Sequence, residues 1–185
     1  MASEIIVNTI KAPTTGANAN KVIIPTGMKL VATDAQAITA PGMLINQQQF
    51  QTSTDIDTSS GAFNTVWTFN YTPVSTNSKI YFTHCLNLRG FQNSGADGRF
   101  EYRVLLAGTT YFTTKDAGSY DYGGSGVWMR TQYSETTVYT NSSSSALEWR
   151  LQVSAMVTSS GRGVRFNEAS GGTPISTCLV QEIAQ

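Results

Sequence analysis

The sequence predicts an all-β protein, an antiparallel β-sandwich of the jelly-roll kind, preceded by an extended N-terminal β arm. Three observations predict it. Apolar residues recur with period two in one run after another, which puts them on a single face of a strand. Gly-, Asn- and Ser-rich breaks separate the runs. No stretch carries the period of an amphipathic helix.

Residues 1–42 read as the arm and 43–185 as the sandwich. Within the arm, Glu4–Lys11, Lys21–Pro25 and Met28–Ala32 are short β-prone runs. The turn-like Ala12–Asn20 and the Pro25-Thr26-Gly27 break divide them, and small and polar residues lead on to Pro41-Gly42. Aromatic residues are absent from this stretch. Short apolar strands with prolines and no large side chains cannot bury a core alone. Ile5, Ile6, Val7, Val22, Ile23 and Ile24 are therefore the expected contacts of the arm with an intertwined subunit or a docking surface. Closed cyclic symmetry is the usual way for identical chains to bury such residues, and a homotrimer is the expected assembly.

From Met43 the strands come steadily: Met43–Thr52, Phe63–Thr72, Lys79–Leu88, Arg99–Leu106, Thr109–Thr114, Trp128–Thr140, Ala146–Val157 and Ile175–Ala184. Pro73 cannot donate to a ladder, and Ser75, Thr76, Asn77 and Ser78 favour a turn through side-chain hydrogen bonds. After it, Ile80, Phe82, His84, Leu86 and Leu88 share one face. Phe100, Tyr102, Val104 and Leu106 alternate with Glu101 and Arg103; Leu147, Trp149, Leu151, Val153, Ala155 and Val157 alternate with Glu148, Arg150, Gln152 and Ser154. Ala107-Gly108-Thr109 reads as a tight hairpin turn in which Gly108 takes a positive φ.

Composition narrows the function classes. The formal charges cancel, 12 basic against 12 acidic, and only 13% of residues are charged, which leaves no electrostatic footprint for nucleic acid. No run reaches the roughly 20 apolar residues of a membrane span, and Met1-Ala2-Ser3-Glu4 is acidic where a secretory signal is basic. Synthesis in the cytoplasm without membrane insertion is the expectation. Cys85 and Cys178 stand in strand-like runs and read as two small buried thiols.

The expectation is a protein that is not an enzyme, without cofactor, metal or catalytic residues. His84, the single histidine, lies in phase with apolar neighbours and reads as packed in the core or in a subunit interface. One histidine and two distant cysteines do not make a zinc site, and there is no Gly-x-Ser-x-Gly elbow. Paired-carboxylate hydrolysis would draw on Asp55, Asp57, Glu101, Asp116, Asp121, Glu135 or Glu148, of which Glu101 and Glu148 read as solvent-face charges. Asp55-Ile56-Asp57 and Asp116–Asp121 are acidic loops without the spacing of a calcium loop. The Gly-rich segment from Ala117 to Trp128 lacks a phosphate-binding pattern. Its Tyr120, Asp121, Tyr122 and Trp128 are the candidate ligand or interface contacts, as stacking faces beside a carboxylate or as anchors of a loop against a neighbouring subunit.

Three phrases carry a family resemblance. Pro73-Val74-Ser75-Thr76-Asn77-Ser78-Lys79-Ile80 with its following strand resembles the signature of a β-domain found at the C-termini of tailed-bacteriophage tail-fibre and other virion appendage proteins. Ser3-Glu4-Ile5-Ile6-Val7-Asn8-Thr9-Ile10 resembles the opening of marine-phage fibre and structural proteins, and Pro41-Gly42-Met43-Leu44-Ile45-Asn46-Gln47 resembles the approach to the C-terminal module. The phrases lie within the first 90 residues. The resemblance implies a virion surface protein assembled on the phage particle, with the arm anchoring it to capsid or tail proteins and the β-domain projecting. A short trimeric tail fibre or adhesin, contacting a host-surface glycan, is the first expectation. A capsid decoration (cement or head-fibre) protein is the alternative, and a carbohydrate-binding module the second.

Overall fold

The computed structural model describes residues 14–16, 26, 40–92, 99–117, 128–156, 162–168 and 174–185, with side chains at all of these except 92, 115–117, 128–131 and 162. The chain divides into two units, Met1–Ile38 and Thr39–Gln185. The expected arm contacts Ile5, Ile6, Val7, Val22, Ile23 and Ile24 lie outside the described residues.

The described residues form ten strands and no helix. They are β1 Leu44–Thr52, β2 Ile56–Thr58, β3 Asn64–Tyr71, β4 Ser78–Gln92, β5 Phe100–Leu106, β6 Thr109–Ala117, β7 Trp128–Asn141, β8 Leu147–Ala155, β9 Arg162–Phe166 and β10 Ser176–Ala184. Each run expected from Met43 onward is a strand, because alternation on a half-buried surface is what a pleated strand requires. The short β2 and β9 were not expected. With three and five residues, they are too brief to show a period.

The pairing has one rule: the first strand lies against the tenth, the second against the ninth, the third against the eighth, the fourth against the seventh and the fifth against the sixth, all antiparallel. This is a folded ribbon wrapped on itself, the jelly-roll path, with β2 and β9 added to its eight longer strands. Wrapping splits the ribbon into two sheets. One has the order β3-β8-β5-β6. In the other, β4 is the long central rail. Along one edge it holds β10 at Ser78–Cys85 and β9 at Leu88–Gln92; β7 runs along the opposite edge. β1 pairs with the free side of β10, and β2 with β9.

The core fills the space between the sheets. From β4 it takes Ile80, Phe82, His84, Leu86 and Leu88; from β5 Phe100, Tyr102, Val104 and Leu106; from β8 Leu147, Trp149, Leu151 and Val153. Trp149 is fully enclosed, with ring centroids of Trp67 at 5.1 Å, Phe69 at 5.0 Å and His84 at 5.9 Å. Aromatic pairs close both sides of the sandwich. Phe50 of β1 stacks on Phe69 of β3 at 4.0 Å, and Tyr133 and Tyr139 of β7 meet Tyr102 at 5.1 Å and Tyr111 at 6.1 Å.

Two backbone positions show why the local sequence folds this way. The β5–β6 hairpin turns on Ala107 at φ 49° and Gly108 at φ 79°. Both central residues are left-handed, as the tightest hairpin with matching twist demands; Gly108 was expected there and Ala107 accepts some strain. At Gly163 of β9 an added Cβ would lie 2.5 Å from the Thr58 carbonyl oxygen and 2.7 Å from the Phe91 ring, so nothing larger than glycine fits.

The register also corrects one expectation. Cys178 pairs with His84 and Cys85 with Thr177, so the two cysteines, on adjacent strands, point to opposite faces. Both thiols are free. Cys178 is buried as expected, but Cys85 is only half-buried, because it is out of phase with the apolar residues of β4.

Trp149→Ala removes the central ring of the core and should cost about 3–5 kcal/mol through the cavity left behind. Glu148, one residue away, faces outward beside Arg150, and Glu148→Ala should change stability by no more than about 0.5 kcal/mol. Urea denaturation of the two variants checks this; similar costs would mean that β8 is buried on both faces.

Candidate functional site

The best-built polar site is the corner where the chain crosses from β3 in one sheet to β4 in the other. Pro73 to Asn77 make the crossing, and the fully buried Glu182 of β10 holds it. Four donors converge on this carboxylate. The Tyr71 hydroxyl donates to Oε2 at 2.6 Å and the Val74 backbone N–H at 2.9 Å; the Ser75 N–H donates to Oε1 at 3.0 Å and the Ser78 hydroxyl at 2.6 Å. Asn141 of β7 donates its amide to the Ser75 carbonyl, and Asn46 of β1 donates to the Tyr71 hydroxyl at 3.2 Å. Burial and the bond to Glu182 push the Tyr71 phenol well above its ordinary range. The sequence reading identified the turn but not its anchor. The signal was present: Glu182 stands in phase with the inward Cys178 and Val180.

A second polar cluster lies around β9. Arg89 of β4 pairs with Glu168, which also accepts from Arg165 Nη1 at 2.6 Å; Arg165 Nε lies 3.0 Å from Asp57 Oδ1. Asn167, at φ 55°, donates its amide to the Thr52 carbonyl at 3.0 Å and accepts from the Ser176 hydroxyl at 2.7 Å. Partial burial raises the Asp57 carboxyl above its usual range despite the lowering pull of Arg165.

His84 is enclosed in the core, and neither ring nitrogen has a hydrogen-bond partner among the described residues. Burial alone lowers it from 6.5 to about 4, and burial raises the Cys178 thiol to about 12. A neutral imidazole beside a protonated thiol offers no nucleophile, and both lie out of reach of a substrate.

The candidate carboxylates are dispersed. Asp57 is committed to Arg165, Glu148 pairs with Arg150, Glu101 is half-buried on β5 and Glu135 is exposed on the edge strand β7. Among the described residues no group of three His, Cys, Asp or Glu side chains converges for a metal ion. Tyr120, Asp121 and Tyr122 lie outside the described residues, as does the Asp116 side chain. Trp128 opens β7 opposite Phe91, and its side chain is likewise not described.

Among the described residues a shallow groove of about 390 Å³ lies between the edge strands β1 and β3. Gln51, Thr52, Thr54, Thr65, Val66, Trp67 and Thr68 line it. The outward face of the second sheet is charged at the β9 end, where Asp57, Arg165 and Arg89 lie in one row, and uncharged nearer the corner. On β5 and β8, Glu101, Arg103, Glu148 and Arg150 face outward; Arg103 donates to Gln152 at 2.8 Å and lies 4.1 Å over the Phe63 ring. On the β1-β10-β4-β7 side, outward rows read Gln49-Leu179-Thr83-Thr136 and Gln47-Gln181-Tyr81-Val138.

No protein-family model matches the sequence, and no curated protein does. Among solved structures the chain is similar to the C-terminal domain of EclA, a sugar-binding protein, with 11% identity over 95% of this chain and 99% of that one, at a TM-score of 0.37. It is also similar to infectious bursal disease virus, Gx strain, with 13% identity over 85% of this chain and 37% of that one, at a TM-score of 0.35. A third similarity, to the carbohydrate-binding module CBM36 in complex with calcium and xylotriose, has 9% identity over 70% of this chain and 98% of that one, at a TM-score of 0.23. Likenesses this weak assign no function.

In Glu182→Gln, whichever way the amide turns, its NH₂ faces either the Val74 or the Ser75 N–H, so a backbone donor loses its acceptor. The variant should lose about 2–3 kcal/mol in urea denaturation, the worth of a buried bond to a charged group; a loss within about 0.5 kcal/mol would show that the corner does not depend on the carboxylate. For His84 the folded value lies below the unfolded one, so between pH 6.5 and about 4 the unfolded chain binds a proton that the folded chain does not. Stability should fall by about 3 kcal/mol as pH drops through that window. His84→Leu should remove that part of the slope, and parallel pH profiles for variant and wild type would contradict the assignment.

Proposed function

We propose that this chain is a non-enzymatic structural protein of a tailed-phage particle, anchored by residues 1–38 and displaying the jelly-roll body as a short trimeric fibre or a decoration of the capsid. The observation that carries this reading is the Pro73–Ile80 phrase. The segment on which the appendage-protein resemblance rests is a built element of the fold, closed on Glu182 by two backbone and two side-chain donors. The first residues of the body run beside it. The Gly42 N–H donates to the Ala184 carbonyl at 2.8 Å, and Gln185 N–H to the Asn77 carbonyl at 3.4 Å, so the N-terminal approach, the C-terminus and the corner share one end of the sandwich. The opposite end of the sandwich carries the β4–β9 junction. The dispersed carboxylates and enclosed His84 support a structural role.

A second reading is glycan contact, favoured by the hydroxyl- and amide-lined groove between β1 and β3. Uncharged donors and acceptors of this kind suit sugar hydroxyls, but Trp67 is too buried to offer a stacking face.

Mass spectrometry and antibody labelling of particles purified from infected cells test the first reading. The full chain should be found on the particle surface, on tail or head. A chain beginning at Thr39, whose hydrogen-bonded body remains whole, should melt cooperatively yet be missing from particles. Equal incorporation of the truncated chain would contradict the anchoring role, and absence of the full chain from particles would contradict the reading altogether.

A further inference from the structure

We propose that the outward face of the β1-β10-β4-β7 sheet is a contact surface for a second copy of this chain. The inference deepens the reading that copies of the chain associate, and names the face that joins them.

The outward face of the other sheet carries Glu101, Arg103 and the Glu148–Arg150 pair, whereas in the rows of this one from Lys79 to Asn87 Lys79 is the single charged residue among the described outward positions; the Arg89 cluster lies beyond them, where β9 joins β4. Depletion of charge marks the centre of protein interfaces. It matters most for contact between copies: residues near a symmetry axis meet their own equivalents, so a charge there would face its own sign. A neutral face avoids that repulsion and the desolvation of ions.

The arrangement of the face agrees. Tyr81 and Val138 stand directly opposite each other in the ladder, with Val138 45% exposed. Leu179 and Ile183 are diagonal to Tyr81 on β10. Around this apolar centre the polar groups already bond to one another. Thr83 and Thr136 share a hydroxyl bond of 2.9 Å, and Gln181 donates to Gln47 at 3.1 Å. Burying such pairs leaves fewer unpaired donors and acceptors than burying isolated ones. Four strands about 4.8 Å apart and about eight residues long give a footprint of roughly 500 Å². With side-chain relief the accessible area reaches the order of 800 Å² per partner found in specific interfaces.

Light scattering on the full chain at micromolar concentration tests this. Val138→Lys and Thr136→Lys replace residues exposed in the single chain, so folding should survive, and each sets like charges against one another across the contact. The wild type should have a mass that is a multiple of 20.0 kDa. Both lysine variants should fall to 20.0 kDa with their cooperative melts kept, while Thr110→Lys on the other sheet keeps the wild-type mass. A wild type of 20.0 kDa overturns the proposal; so do lysine variants that keep the wild-type mass, which would assign association to another part of the chain. A wild type that multimerises through this face but is missing from particles contradicts the virion reading and leaves this one standing.

Discussion

The fold depends on a buried negative charge at the point where the ribbon changes sheets. Placing a carboxylate in a low-dielectric interior costs several kcal/mol unless donors surround it. At Glu182 the compensation comes from both sides of the crossing, Tyr71 at the end of β3 and Ser78 at the start of β4, with the backbone of Val74 and Ser75 between them. The requirement works as a registration device. β10 slipped by one residue would turn Glu182 to solvent and leave buried donors unpaired. Because β10 pairs with β1 on one side and β4 on the other, its register sets theirs.

The opposite end of the sandwich meets a similar need differently. There β9 fills the edge of β4 that β10 leaves vacant, and the Arg89–Glu168–Arg165 cluster with Asn167 and Ser176 satisfies the backbone and side chains where β10 and β9 share the rail. Between the two polar ends lies an aromatic middle centred on Trp149. Two polar groups in that middle, the Trp149 indole N–H and the His84 ring, have no hydrogen-bond partner among the described residues, and His84 is the one that can ionise. It is tolerated because it stays neutral, and it makes the core sensitive to acid.

Most of this fold was legible in the sequence because one face of each long strand is buried, and burial on one face writes period two into the chain. The inward sets of β4, β5 and β8 were readable residue by residue. The brief β2 and β9 carry no period, and their presence rests on long-range pairing with each other and with β4. Glu182 was missed for a related reason: a lone acid in a polar-rich run reads as surface unless its phase is compared with Cys178 and Val180. Cys85 shows the same lesson reversed, since its phase with Thr83 and Asn87 already placed it outside. The expected ligand contacts Tyr120, Asp121, Tyr122 and the Trp128 side chain lie outside the described residues. Of the carboxylates, Asp57 and Glu148 each pair with a local arginine, and Glu135 is exposed to solvent.

With Glu182 as its anchor, the Pro73–Ser78 crossing, a loop by backbone shape, is as firmly held as the strands it joins. Native-state hydrogen exchange at the Val74 and Ser75 amides measures this most directly, because in the folded chain both donate to Glu182 alone. If the buried carboxylate locks the corner, these amides exchange only through opening of the whole sandwich, with the protection of inward β4 amides such as Phe82. Exchange at the rate of ordinary surface-loop amides would contradict the account, leaving the corner a passive link and Glu182 without its structural role.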